Sequence, residues 1–228
     1  VSVLVLALRA LRYFVPFLVL SVIAYAPLLL LVLRSSAPTD AAAAQGLLRF
    51  AWVVGASAWV PQFVLVGGVA PAVRALAAGA PLSQVGALGH GLVGFVRMLL
   101  PCLLVAVAAA VGSLALVVPG LALVVLLSLT GASTERGLPG PLLDSIAAVR
   151  ARLGLVTLVV IAIVAVDLAI AVAAQLIFAA PIPKKTVPKQ LDAILATYQV
   201  VLYVVAGGLV VISPIVASVL AAIRVSKR

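Results

Sequence analysis

Apolar runs of about twenty residues, separated by short polar stretches, recur along the whole chain, and that spacing decides what it can fold into. A helix needs about 20 apolar residues to cross a ~30 Å hydrocarbon core, and inside that core each backbone N–H and C=O must find a partner within the protein. The ten-residue alternation of a transmembrane barrel is not what this sequence shows. Only 9% of its 228 residues are charged and 66% are hydrophobic, where a soluble domain keeps roughly a quarter charged. Such a chain cannot cover itself with polar groups, so lipid must be the solvent for most of it. The expectation is an all-α, polytopic helical membrane protein: a single integral membrane domain over 1–228, with about six transmembrane helices near 13–33, 50–73, 98–118, 121–134, 153–180 and 193–223. The first run ends in Arg34 without a small-residue cleavage pattern and is read as a span, not a signal peptide.

The connectors are less uniform than the spans. Residues 74–97, with Pro81, Ser83, Gln84, His90 and several glycines, read as a cytoplasmic connector with room for an interfacial helix. Pro119–Gly120 is a turn signal at the end of the third span. If 99–132 were one helix it would be ~50 Å long, too long for one crossing. A tight hairpin with a tilted fourth span is therefore preferred, and a re-entrant fourth segment is the alternative. From Pro141 to Leu153, the residues Leu142, Leu143, Ile146, Val149 and Leu153 share helical spacing, Asp144 lies near the start and Arg150 and Arg152 near the end. This is the pattern of an amphipathic helix on the membrane surface before the fifth span.

The net charge of +10 does not indicate nucleic acid, because the fifteen Lys and Arg are scattered at span ends and form no stripe with interleaved aromatics. With six crossings and the N-terminus inside, Arg9, Arg12, Arg74, Arg97, Arg136, Arg150, Arg152, Arg224, Lys227 and Arg228 fall on one side, and Arg34, Arg49, Lys184, Lys185 and Lys189 on the other. That bias favours both termini in the cytoplasm and attraction to anionic lipid headgroups. Cys102 stands alone in an apolar run, so it forms no intramolecular disulfide and no Cys/His metal site.

The stretch VVPGLALVVLLSLTGASTERGLPGPLLDSIAAVRARLG resembles YciC-type inner-membrane proteins and the membrane domain attached to some bacterial glycerophosphodiester phosphodiesterases. In that pattern a span ends in Pro-Gly, a second apolar segment leads to an acidic residue and Gly, and a surface helix with a Ser and a basic residue follows. The matching positions here are Pro119, Gly120, Glu135, Gly137, Ser145 and Arg150. Thr130-Gly131-Ala132 departs from it, standing where a Pro-bearing segment usually precedes the acidic residue. The resemblance implies a six-span bundle in a bacterial inner membrane. It implies no reaction, since the phosphodiesterase activity belongs to a separate soluble barrel.

Asp167 is the one acidic residue in the run from Leu153 to Ala180. A carboxylate there costs at least ~2.5–3.5 kcal/mol if it faces lipid, so it is expected to face protein or water. Gln175, eight residues on, falls on nearly the same face, and the two form the candidate intramembrane polar site. Glu135, Arg136, Arg150 and Arg152 are candidate contacts for lipid or a partner. Gly67–Gly68 and Gly207–Gly208 suit close helix packing, within the fold or against a neighbour. No catalytic constellation, cofactor motif or phosphate loop emerges. The leading expectation is a non-enzymatic accessory or scaffold subunit whose partners are other membrane subunits or copies of itself. The alternatives are a small transporter or channel using Asp167, and a lipid-handling protein.

Overall fold

The computed structural model describes residues 2–34, 41–115, 117–134, 137–178 and 188–226, and among them the regular elements are all helical. The helices are α1 (Val3–Ala10), α2 (Phe14–Arg34), α3 (Ala41–Ser57), α4 (Trp59–Ala77), α5 (Gln84–Ala115), α6 (Val117–Leu127), α7 (Gly140–Arg150), α8 (Leu153–Phe178) and α9 (Pro188–Val225), with 3-10 turns at Leu11–Tyr13 and Thr130–Ala132. Five stretches are long and apolar enough to cross a membrane, namely Val3–Leu30, Trp59–Ala77, Gln84–Ala109, Leu153–Phe178 and Ala196–Val225. The chain is an all-α polytopic membrane protein.

Prolines set several of the boundaries. Pro61 has no N–H for the carbonyl of Ser57, four residues back, and its ring crowds that turn. The expected second span, 50–73, is accordingly two helices, with a break at Ala58. The Ala58 carbonyl accepts a hydrogen bond of 3.1 Å from the buried Tyr25 hydroxyl. Pro16 likewise leaves the Arg12 carbonyl without a helical donor, and the side-chain amide of Gln84 donates to it at 2.6 Å.

The largest departure from the sequence expectation is the connector at 74–97. Only a short turn joins α4 to α5: Gly79, at φ +75°, ends α4, with Ala80 N–H donating back to Ala75 and Gly79 N–H to Leu76. Ser83 then caps α5, accepting from the Gly86 N–H at 3.0 Å. Residues 84–97 are the first half of α5. Their glycines lower helix propensity, but tertiary packing offsets that cost.

The chain forms two compact units, one of 1–24, 60–162 and 212–228, the other of 25–59 and 163–211. In the first, α4 is the centre, and Gln62 through Ala70 are all buried. A Cβ on Gly94 of α5 would lie 2.3 Å from the Gly67 carbonyl oxygen, and one on Gly91 would lie 2.9 Å from that of Gly68. The two backbones therefore touch. Pro71 has no N–H to offer Gly67, so the approach of the Gly94 Cα–H supplies a weak donor to a carbonyl that lacks its helical one. On the adjoining side of α4, a Cβ on Gly131 would come within 2.5 Å of the Phe63 carbonyl oxygen. Val64, Phe95, Met98 and Cys102 fill the space beside the crossing. The glycine pair 67–68 is thus consumed inside the fold.

α6 returns alongside α5. Arg97 on α5 donates to the Thr134 carbonyl, and Arg74 at the end of α4 donates to that of Ala132 at 3.0 Å. Residues 97 and 134 therefore lie at one end of the unit, and the expected fourth span, 121–134, is not among the five stretches long and apolar enough to cross. Pro119 and Gly120 are helical and lie in the first turn of α6, where a proline loses no bond.

In the second unit, Ile170 of α8 packs on Gly208 of α9, whose added Cβ would stand 3.1 Å from the Ile170 Cγ2. Buried positions on α9 run through Tyr198, Leu202, Val205, Ala206 and Leu209. α9 has 38 residues, or ~57 Å of helix, so it extends well beyond a ~30 Å core and begins before the expected span 193–223.

The α4–α5 crossing gives a prediction with opposite signs at two glycines of one helix. Gly94→Ala should destabilise by ~1–3 kcal/mol, because backbone must move. Gly89→Ala, with nothing within 4 Å of the new carbon, should be neutral or stabilising by up to ~1 kcal/mol. Thermal unfolding of both variants in detergent checks the pair, and an upward shift for both would contradict the crossing.

Candidate functional site

The polar chemistry of the first unit collects at the end where α4, α6 and α9 finish and α5, α7 and α8 begin. Helix C-termini expose carbonyls and carry the negative end of the macrodipole, so cations are stabilised there. Four arginines meet that requirement. Arg74 and Arg97 hold the carbonyls of Ala132 and Thr134. Arg152 donates to the Ile223 carbonyl at 2.8 Å and to both the hydroxyl and the carbonyl of Ser226 at 2.6 Å, closing the C-terminal turn of α9. Arg224 pairs with Asp144 of α7 at 2.5 Å, both partly buried. Arg74 lies within Coulomb range of Arg97 and Arg224.

α7 locks the group together. Its register follows from Pro141 in the first turn, and it turns Pro141, Ser145 and Val149 inward. The buried Ser145 hydroxyl donates to the Leu126 carbonyl at 2.9 Å and accepts from the Leu129 N–H at 3.2 Å, bridging the frayed end of α6. Of the residues that share the expected apolar face, Val149 is buried within the unit, whereas Leu143 is 61% exposed and Leu153 51% exposed. Ser145 is a helix-end clamp. Arg152, expected to meet lipid or a partner, is instead occupied by α9, while Arg150 is exposed. Glu135 and Arg136 lie outside the described residues.

Asp167 is 1% exposed and sits on the buried stripe of α8 with Ile163, Ala171 and Ala174. It faces protein, as its charge demands. Gln175 is half-buried on the flank of the same stripe. His90 is exposed on α5, far along the sequence from any second ligand type, and among the described residues no three His, Cys, Asp or Glu gather as a metal site. The buried Cys102 thiol donates to the Phe63 carbonyl at 3.6 Å, which is a packing role.

The Arg74–Arg97–Arg224 group was legible only as charges at span ends. What brings them together is the return of α6 and the docking of α7, neither of which has a motif. No protein-family model matches the chain, nor does any characterised protein or solved structure.

The clamp predicts a measurable cost. Ser145→Ala leaves a buried carbonyl and N–H without their shared hydroxyl and should destabilise by ~1–3 kcal/mol. Asp144→Asn and Arg224→Gln should be less than additive, with a coupling of about 1 kcal/mol. A double-mutant cycle in detergent unfolding measures it, and independent effects would remove α7 from the clamp.

Proposed function

We propose that this protein works by association, as a non-enzymatic accessory or scaffold subunit of a bacterial inner-membrane assembly, with both termini in the cytoplasm. One observation supports the reading above the others. Gly208 is used against α8, but its neighbour Gly207 is exposed with nothing within 4 Å of its missing side chain. It stands in an outward stripe of α9 formed by Val200, Tyr203, Val204 and Val211. Tyr203 carries a 2.8 Å hydrogen bond from Gln199 on that same side. A glycine dent flanked by a paired amide and phenol is a surface that another helix fits better than fluid acyl chains do. The resemblance to YciC-type proteins is compatible with this role and adds no reaction to it.

A transport role is the second reading, and the observation in its favour is the burial of Asp167 at mid-helix in α8. Two variants separate the readings. Gly207→Leu fills the dent and should shift the extracted protein from an assembly to its own mass, without a comparable loss of thermal stability. If the assembly survives that substitution, the association face is elsewhere or absent. Asp167→Asn should leave assembly unchanged if α9 carries it, and loss of liposome flux with intact assembly would favour transport.

A further inference from the structure

At the basic end of the first unit, an open cleft of ≈ 580 Å³ lies between α1 with its following turn and the turn joining α4 to α5. Its walls are Leu8, Arg9, Arg12, Leu76, Gly79 and Pro81, and its volume is in the range that takes a small ligand. Arg9 and Arg12 are three residues apart on one helical face, and both are exposed. Among the described residues, the Asp144 carboxylate is taken by Arg224 and not by Arg9 or Arg12. Arg12 is also held in place. Arg12's carbonyl is bonded to Gln84, its guanidinium lies 5.3 Å from the centre of the Tyr13 ring, and the buried Tyr13 donates to the Leu82 carbonyl at 2.8 Å. Gly79 contributes no side chain that would fill the space.

The rest of the wall is apolar, and it continues outward. Leu4, Val5 and Leu8 on α1 are 68%, 40% and 57% exposed, a surface that suits acyl chains beside a pair of cations at the end of a span. We propose that this cleft binds the headgroup of an anionic phospholipid. Arg9 and Arg12 hold the phosphodiester by charge-assisted hydrogen bonds, and Leu8, Leu76 and Pro81 meet the glycerol and the start of the acyl chains. A free phosphate ester would satisfy the arginines and leave the apolar wall wet, so the lipid is the occupant. The site is independent of the association face on α9.

Native mass spectrometry of the detergent-purified chain, titrated with phosphatidylglycerol or with phosphatidylcholine of the same acyl chains, tests the assignment. The wild type should bind phosphatidylglycerol roughly tenfold or more tightly than phosphatidylcholine. Arg9→Gln/Arg12→Gln should abolish that preference, and so should Leu8→Glu, which keeps both arginines and puts a negative charge at the rim. Arg49→Gln, outside the cleft, should retain it. Unfolding curves matching wild type ensure that the losses are local. Retention of the preference in the double variant, or equal binding of the zwitterionic lipid, would overturn the site. Displacement of the lipid by equimolar glycerol 3-phosphate would overturn its assignment to lipid.

Discussion

The backbone contact between α4 and α5 is the constraint on which the first unit depends. At Gly67 and Gly94 there is no room for one additional carbon atom. Within a bilayer no hydrophobic force draws helices together, so close packing and backbone polar contacts must hold them. The Gly67 carbonyl, deprived of its helical donor by Pro71, is the polar half of that contact. With α5 fixed there, α6 can lie back along α5 only if Gly131 fits under Phe63, and a Cβ would not fit. α7 then closes the structure by joining the end of α6, through Ser145, to the end of α9, through Asp144 and Arg224.

The spans were legible because apolar length is a direct consequence of bilayer thickness, and α2 and α8 are helical where that argument puts them. The first half of α5 was hidden for the same kind of reason. Gly86, Gly89, Gly91 and Gly94 read as loop residues when only local propensity is considered, and the use of Gly91 and Gly94 against α4 is visible only once α4 is present. Pro119–Gly120 lies in the first turn of α6, and a proline marks the start of a helix as readily as its end. Pro61 can be seen in the sequence to interrupt the second run, but the outcome, two helices with Tyr25 bridging the break, depends on a residue more than thirty positions away. For the candidate sites, Asp167's inward direction followed from charge in lipid alone. The arginine group did not, because convergence of span ends is a property of topology.

Both parts of the functional account use the division of labour among the polar groups. Arg74, Arg97, Arg152 and Arg224 are engaged in holding helix ends. Arg9 and Arg12 at the cleft, and Gly207 beside Tyr203 on α9, face outward instead. One suits an anionic headgroup and the other a helix.

The out-and-back course of α5 and α6 is the central structural claim, and side-specific labelling tests it most directly. In a Cys102→Ser background, a single cysteine is placed at Ala80, in the turn before α5, or at Leu138, after α6. Sealed vesicles of uniform orientation are then treated with a membrane-impermeant maleimide. Labelling of both positions from the same side is the predicted result. Labelling of Ala80→Cys and Leu138→Cys from opposite sides would mean that α6 does not complete the return, and the clamp built on it could not form.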